Sequence, residues 1–415
     1  MHKIITLDNG FRIILENISY VRSISCGLWV AAGSKTESVN NMGISHLIEH
    51  MLFKGTQTRS AKEIAEIIDN IGAQINAFTS KDCICFYIKS LDNYIDICID
   101  VLADMFFNSV FAEKELNLEK KVILEEISMY EDTPDELVYD KLMESVWNGN
   151  PLSYPILGTE KSLGNIDAHE IQSYICDHFT ATNSALSIVG HFDEEKLIAL
   201  IQEKFSRFNK KITVSHCNLE PKFINSYSYI KKEIEQAHLC VGFSAFKHSD
   251  ERIYDLSIIN AILGGSMSSR LFQNIRENKG LVYSIFSHCI VYKDSGLFVI
   301  YAGMNPKNTN QVIELIHKEI TNLKSNRISG NEIKTSKEQL KGNLILSLEN
   351  TTSRMQTYGK SVVMNEKTRT LEEIIQEIDI INQKSIDECI YQVFEQNGDP
   401  AICMVSPVNN IVDAN

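Results

Sequence analysis

Hydrophobic positions along this chain switch between two periods. The opening run, "MHKIITLDNGFRIILE", alternates apolar and polar residues on either side of an Asn-Gly pair, which predicts two short strands and a tight turn. "AKEIAEIIDNIGA" (61–73) instead spaces Ile64, Ile67, Ile68 and Ile71 at three and four residues and reaches Gly72 near its end. That spacing predicts an amphipathic helix and its stop. "CICFYIKSL" (83–91) and "GLFVIYAGM" (296–304) return to strand patterning. Cys83 and Cys85 then fall on one face of a strand, as core packing would place them. Strands cluster and helices come in longer blocks, which predicts an α+β organisation rather than a strictly alternating doubly wound sheet.

The pattern also repeats. "NIDAHEIQSYICDHF" (165–179) followed by "NSALSIVGHF" reads as a helix, a turn and an apolar strand. "IINQKSIDECIYQVF" (380–394) followed by "GDPAICMVSP" reads the same way about 215 residues later. Low residue identity makes this a suggestion of duplication. A chain of 415 residues exceeds what one core usually supports, so two domains of about 200 residues are expected. The polar stretch "SRFNKKITVSHCNLEPK" (206–222) supplies the boundary. The expected division is 1–212, a linker at 213–222, and 223–415.

Composition narrows the classes. No apolar run approaches the roughly 18 residues of a membrane span. The first residues lack a basic region followed by an apolar one, so no secretory signal is read and a cytoplasmic location is expected. The ten cysteines form neither a CxxC pair nor a dense disulfide framework. A net charge of −14 argues against nucleic acid as a partner. It suits basic substrates, but it serves simple solubility equally well.

Chemistry concentrates in "MGISHLIEHMLFKGT" (42–56). On a helix, His46 and His50 lie one turn apart, about 6 Å between Cβ atoms, and could share one metal ion. Glu49 neighbours that face without being needed as a ligand. The stretch is equally readable as a polar stripe on an amphipathic helix. A peptidase zinc needs three protein ligands and an open position. The carboxylate-rich run "EKELNLEKKVILEEISMYEDTPDE" (113–136) offers Glu126, with Glu119 two turns earlier. Spacing alone does not separate Glu126 from Glu125.

Taken together, "GISHLIEHMLFKGT", "NAFTSKD", "LEKKVILEEISMYEDTPDE" and "SSRLFQNIRENKGLVYSIFS" (268–287) resemble, in order and spacing, the pitrilysin-type inverzincin metallopeptidases. The nearest branch is that of the bacterial and mitochondrial processing peptidases, and the resemblance runs from about residue 3 to the end. It implies two homologous α/β-roll domains enclosing a chamber, with one Zn2+ per chain held by His46, His50 and Glu126. Glu49 is then the general base, and Glu119 orients a ligand histidine. The second half, without a metal site of its own, would supply Arg276 and Tyr283 to stabilise the oxyanion. Read without the resemblance, that pair is a helix-end salt bridge and a core tyrosine. Domain closure would assemble the site.

Substrate contacts follow in the same way. Asn76 and Ala77 match the edge strand on which the family lays an extended peptide. Phe53 matches a hydrophobic pocket for the residue after the cut. Glu136 and Asp140 match the positions that read an arginine two residues before it; a solvated acidic helix face is the plain alternative. The implied activity is zinc-dependent endopeptidase action on extended or unfolded peptides. The implied assembly is a homodimer or a pairing with a companion subunit, with neither membrane nor nucleic acid as a partner. The alternative is a non-catalytic or substrate-holding scaffold of the same fold. Such subunits typically lose the histidines or the glutamate, and this chain keeps them.

Overall fold

The computed structural model describes residues 2–206, 208 and 220–409. One sheet comprises β1 (Lys3–Thr6), β2 (Arg12–Asn17), β3 (Ser23–Val30), β4 (Gln74–Thr79), β5 (Ile84–Leu91) and β6 (Ser184–Gly190), in the order β1-β2-β6-β3-β5-β4. The other comprises β7 (Tyr227–Lys231), β8 (Ala237–Ala245), β9 (Val282–Val291), β10 (Gly296–Met304) and β11 (Ala401–Ser406), in the order β7-β11-β8-β10-β9. Apart from β1, the two orders coincide strand for strand. So do the senses, with β2·β6 and β7·β11 parallel and the remaining matched pairs antiparallel. The chain therefore has an α+β fold of two homologous units, as the repeated pattern anticipated.

The helices follow in the same succession. The first half carries α1 (Ile44–Leu52), α2 (Ala61–Asn70), α3 (Ile95–Asn108), α4 (Glu113–Glu131) and α5 (Pro134–Val146). After β10 the run α3-α4-α5 is matched by helices at Thr309–Ser325, Gly330–Ser347 and Thr351–Val363. Local chemistry sets several ends. Ser60 and Glu63 form a capping box on α2, and Gly72, with φ of 62°, turns the chain beyond it. Pro134 opens α5, splitting the long helical run expected over 113–136 into two.

The compact units do not follow a single cut. One takes Met1–Ile127, Tyr154–Asn218 and Leu346–Thr370, and the other takes Ser128–Ser153, Leu219–Ile345 and Leu371–Asn415. The division expected at 1–212 and 223–415 differs from these units by two exchanged helical segments. Residues 213–219 of the expected linker lie outside the described residues.

Packing explains the exchange. In β3, Ile24, Cys26, Leu28 and Val30 face the core that takes up α1. Trp29 on the opposite face joins Cys83, Cys85, Ala185 and Val189 under helix Thr351–Val363. In the second unit, Cys240, Val299 and Cys403 are covered likewise by α5 through Val138, Leu142 and Val146. Gly27 in β3 and Gly242 in β8, 215 positions apart, give each exchanged helix its close approach. A Cβ on Gly27 would lie 2.1 Å from the Met355 sulfur, and one on Gly242 would lie 3.1 Å from Leu142.

Gly359 is tighter still, since its Cβ would sit 2.0 Å from Trp29 Nε1. Gly359→Ala is therefore expected to lower stability by about 1–3 kcal/mol through overpacking. Denaturant titration of the full chain checks this, and an unchanged midpoint would contradict it.

Candidate metal centre

The first unit builds a metal-shaped cluster on two helices. α1 buries Ile44, Leu47, Ile48, Met51 and Leu52, and its polar flank carries His46, Glu49 and His50. In α4, Leu116, Glu119 and Ile123 form the buried stripe. Glu126 continues that stripe half-buried, whereas Glu125 is exposed. Glu126, rather than Glu125, is thus the residue on the inward side of α4.

His46 Nε2 lies 3.9 Å and His50 Nε2 3.8 Å from the same Glu126 Oε2. These separations are too long for hydrogen bonds. They are close to the roughly 3.3–3.5 Å expected between atoms held about 2.0–2.1 Å from one tetrahedral ion. Among the described residues, His46, His50 and Glu126 form the group of potential ligands whose donor atoms all lie within 4.8 Å of one another. The residues thus fit a metal ion of the zinc type, two imidazoles and one carboxylate around a shared point.

The surroundings fix the donor atoms. Glu119, buried on α4, accepts from His50 Nδ1 at 3.0 Å. A carboxylate can only accept, so a proton sits on Nδ1, and in the neutral imidazole the lone pair is then on Nε2, on the side of the cluster. Glu119 is itself paired with Lys54 Nζ at 2.5 Å. His46 is only 8% exposed. Burial, and then the neighbouring His50, push its pKa down to about 4, so it stays in the neutral form that a metal ligand requires.

Glu49 stands beside the cluster rather than in it. Its Oε2 accepts from Thr79 Oγ1 at 2.5 Å. Burial raises its pKa above the ordinary carboxylate value; Thr79 and His50 oppose the rise and Glu126 adds to it. A carboxyl held above its usual range is a stronger base.

Thr79 ends β4, an edge strand of its sheet. The Ala77 N–H donates to Asn76 Oδ1 at 2.8 Å instead of to β5. Backbone groups of Ala77 therefore point to the open edge, and the exposed Asn76 side chain lies over one of them. Phe53, the first residue past α1, is half-buried against the unit's core.

The remaining predicted residues belong to the second unit. Arg276 lies in a π-helical turn, Phe272–Glu277, with its guanidinium 4.7 Å from the Phe272 ring centre. It borders a groove of about 400 Å³ shared with Ser284 and Phe286. Tyr283 stands on the edge strand β9 and is 74% exposed. Neither matches the plain alternative of a salt bridge and a core tyrosine. Glu136 and Asp140 lie in the first two turns of α5. Burial, followed by Asp140, Glu136 and Asp135, raises the pKa of the Tyr130 hydroxyl.

Sequence reading missed Thr79 and Lys54 as partners of Glu49 and Glu119. Both lie inside the quoted motifs, but their contacts are long-range and leave no periodic trace.

Comparison with known proteins agrees with this geometry. Residues 12–160 match the family described as Insulinase (Peptidase family M16), and residues 165–340 match the Peptidase M16 inactive domain. A Bacillus subtilis (strain 168) protein named "Uncharacterized zinc protease YmxG" is 44% identical over 411 residues, covering 99% of this chain and 100% of that one. The chain belongs to the insulinase family of peptidases, M16. A Rickettsia felis relative named "Uncharacterized zinc protease" is 38% identical over 339 residues, covering 80% and 81% of the two chains. A solved structure titled as a protease from Helicobacter pylori shares the M16 fold, with a TM-score of 0.92 at 20% identity over 98% of this chain and 100% of that one. Among the described residues, no helix is long and apolar enough to cross a membrane.

Proposed function

We propose that this M16 chain is a zinc endopeptidase that hydrolyses extended or unfolded peptides. The observation that carries the reading is the convergence of His46, His50 and Glu126 on one point, with the Glu49 carboxyl, held by a hydrogen bond from Thr79, beside it. Two relatives carry zinc protease in their names, and the donor set suits that ion. Bound there, one zinc per chain supplies Lewis acidity, activating water and polarising a carbonyl. Glu49 takes the proton of the attacking water and returns it to the leaving amine. Thr79 holds one carboxyl oxygen and so keeps the other aimed at that proton.

The open edge of β4 receives the peptide backbone by strand addition, with Asn76 and Ala77 as contacts and Phe53 lining the pocket after the cut. Glu136 and Asp140, one helical turn apart, can grip a guanidinium together. Arg276 and Tyr283 are the oxyanion donors in this reading. Homodimerisation or a companion subunit, and a cytoplasmic location, complete the proposal.

The test is cleavage of unstructured, arginine-containing peptides by the zinc-loaded full chain, with products read by mass spectrometry. Cuts placed two residues after arginine support the whole reading. Cuts without that preference leave the peptidase and remove the role of Glu136 and Asp140. Absence of cutting favours a scaffold.

Glu119→Gln is expected to weaken zinc binding about 10–100-fold, because it loosens the His50 tautomer and ring orientation. Competition against a chromogenic chelator measures this. Equal affinity would mean that Glu119 serves the fold alone.

A further inference from the structure

Glu37 is a buried carboxyl for which the catalytic reading has no use. It is 5% exposed and lies nine residues before His46. Its Oε2 accepts the N–H of Gly43 at 2.7 Å and its Oε1 accepts the N–H of Ser45 at 2.9 Å. Those amides belong to the start of α1, where helix geometry leaves N–H groups without internal partners and favours negative charge.

The same turn is tied from two other sides. Ser45 Oγ and Thr36 Oγ1 both bond the Tyr174 hydroxyl, at 2.8 and 2.7 Å. Ser162 Oγ donates to Met42 O at 2.7 Å. Gly43, at φ of 89°, crosses Gly158 so closely that a Cβ would lie 2.6 Å from Leu157 O.

A local serine or asparagine cap would satisfy a helix end without burying a charge. Burial does strain this carboxyl, pushing it up to about 7 against the pull of Ser45, Gly43 and Lys81. What Glu37 adds is a two-pronged tie from outside the helix, and that tie fixes where the helix begins. His46 follows Ser45 directly, and His50 follows one turn later.

We infer that Glu37 is a positioning residue, clamping Gly43 and Ser45 so that His46 and His50 are set for the metal before it arrives. The inference rests on the zinc-site reading above. It predicts that Glu37→Gln, whose amide must turn an N–H toward one of the two donors, loses zinc to a chelator about 10–100-fold faster than the wild-type full chain.

Val362→Ala, a core deletion on the opposite face of the same sheet, controls for general loosening. It should lower the melting temperature while leaving the zinc loss rate within twofold of wild type. Tyr174→Phe is the gentler variant should Glu37→Gln not fold, with an expected acceleration of about fivefold, the equivalent of one hydrogen bond. Amides across 43–50 should also exchange slowly in the metal-free wild type.

Zinc lost at equal rates from wild type and the Glu37 variant would overturn the inference. So would acceleration of the same size in Val362→Ala, or loop-like exchange of 43–50 without metal. A wild type that binds no zinc would overturn the site reading itself, and this inference with it.

Discussion

Replacing Glu49 by glutamine is expected to cut peptide hydrolysis by about 10²–10⁴-fold, the range for removing a positioned general base, while zinc stays bound. The substitution keeps the shape of the side chain and one oxygen able to accept from Thr79 Oγ1. It removes only the ability to take a proton. The three donor atoms of the cluster come from His46, His50 and Glu126, so metal affinity should hold within a small factor. Single-turnover cleavage and zinc content, measured on the same preparation, separate the two effects. Residual activity within tenfold of wild type would require another base, and loss of zinc would place Glu49 among the ligands. Thr79→Val should fall between the extremes, because the carboxylate, freed of a bond that opposes its raised pKa, is no weaker a base but loses its aim.

Much of this site was legible in the sequence because its geometry is periodic. His46 and His50 are four residues apart, which on any helix puts them on one face. The repeat of about 215 residues surfaced as two helix–turn–strand endings and returns in the structure as two sheets with one strand order. The choice between Glu125 and Glu126 was beyond spacing. It is decided by which side of α4 packs inward, and Leu116, Glu119 and Ile123 set that side. Thr79, Lys54 and Glu37 were hidden for a related reason. Thr79 and Lys54 each act through one bond to a residue far along the chain, and Glu37 acts through two bonds to backbone N–H groups six and eight residues on; a lone hydroxyl or charge carries no mark of such a partner until the chain is folded. The exchanged helices were hidden as well. Nothing in the sequence of Thr351–Val363 says which sheet that helix covers.

That exchange carries the other large expected effect. Residues 1–212 produced alone are expected neither to form the first unit stably nor to bind zinc, although every proposed ligand lies within them. Helix Thr351–Val363, with Met364 after it, lays Met355, Tyr358, Val362, Val363 and Met364 over Ile14, Ile18, Trp29, Cys85 and Val189. Arg354 pairs with the buried Glu16 at 2.9 Å, and Thr351 bonds Ser25 at 2.9 Å. Each buried side chain of this size is worth about 1.5–3 kcal/mol. Removing the whole helix therefore forfeits several times the cost of a typical point mutation, about 1 kcal/mol. It also takes Arg354 from the buried Glu16 and leaves Trp29 in water.

Half a chain would additionally expose the apolar face of α5, whose natural cover lies beyond residue 212. Supplying a peptide of residues 346–370 should restore part of the near-ultraviolet signal of Trp29 and some zinc binding. The matched peptide carrying Met355→Lys should not, since it drives an unpaired charge into the same face. A soluble, cooperative, zinc-binding 1–212 fragment would show that the exchanged helix is decoration. Failure rescued by the peptide would show that the catalytic unit is completed by the other half of its own chain, so that a break anywhere between residues 213 and 345 need not destroy the site while loss of 346–370 must.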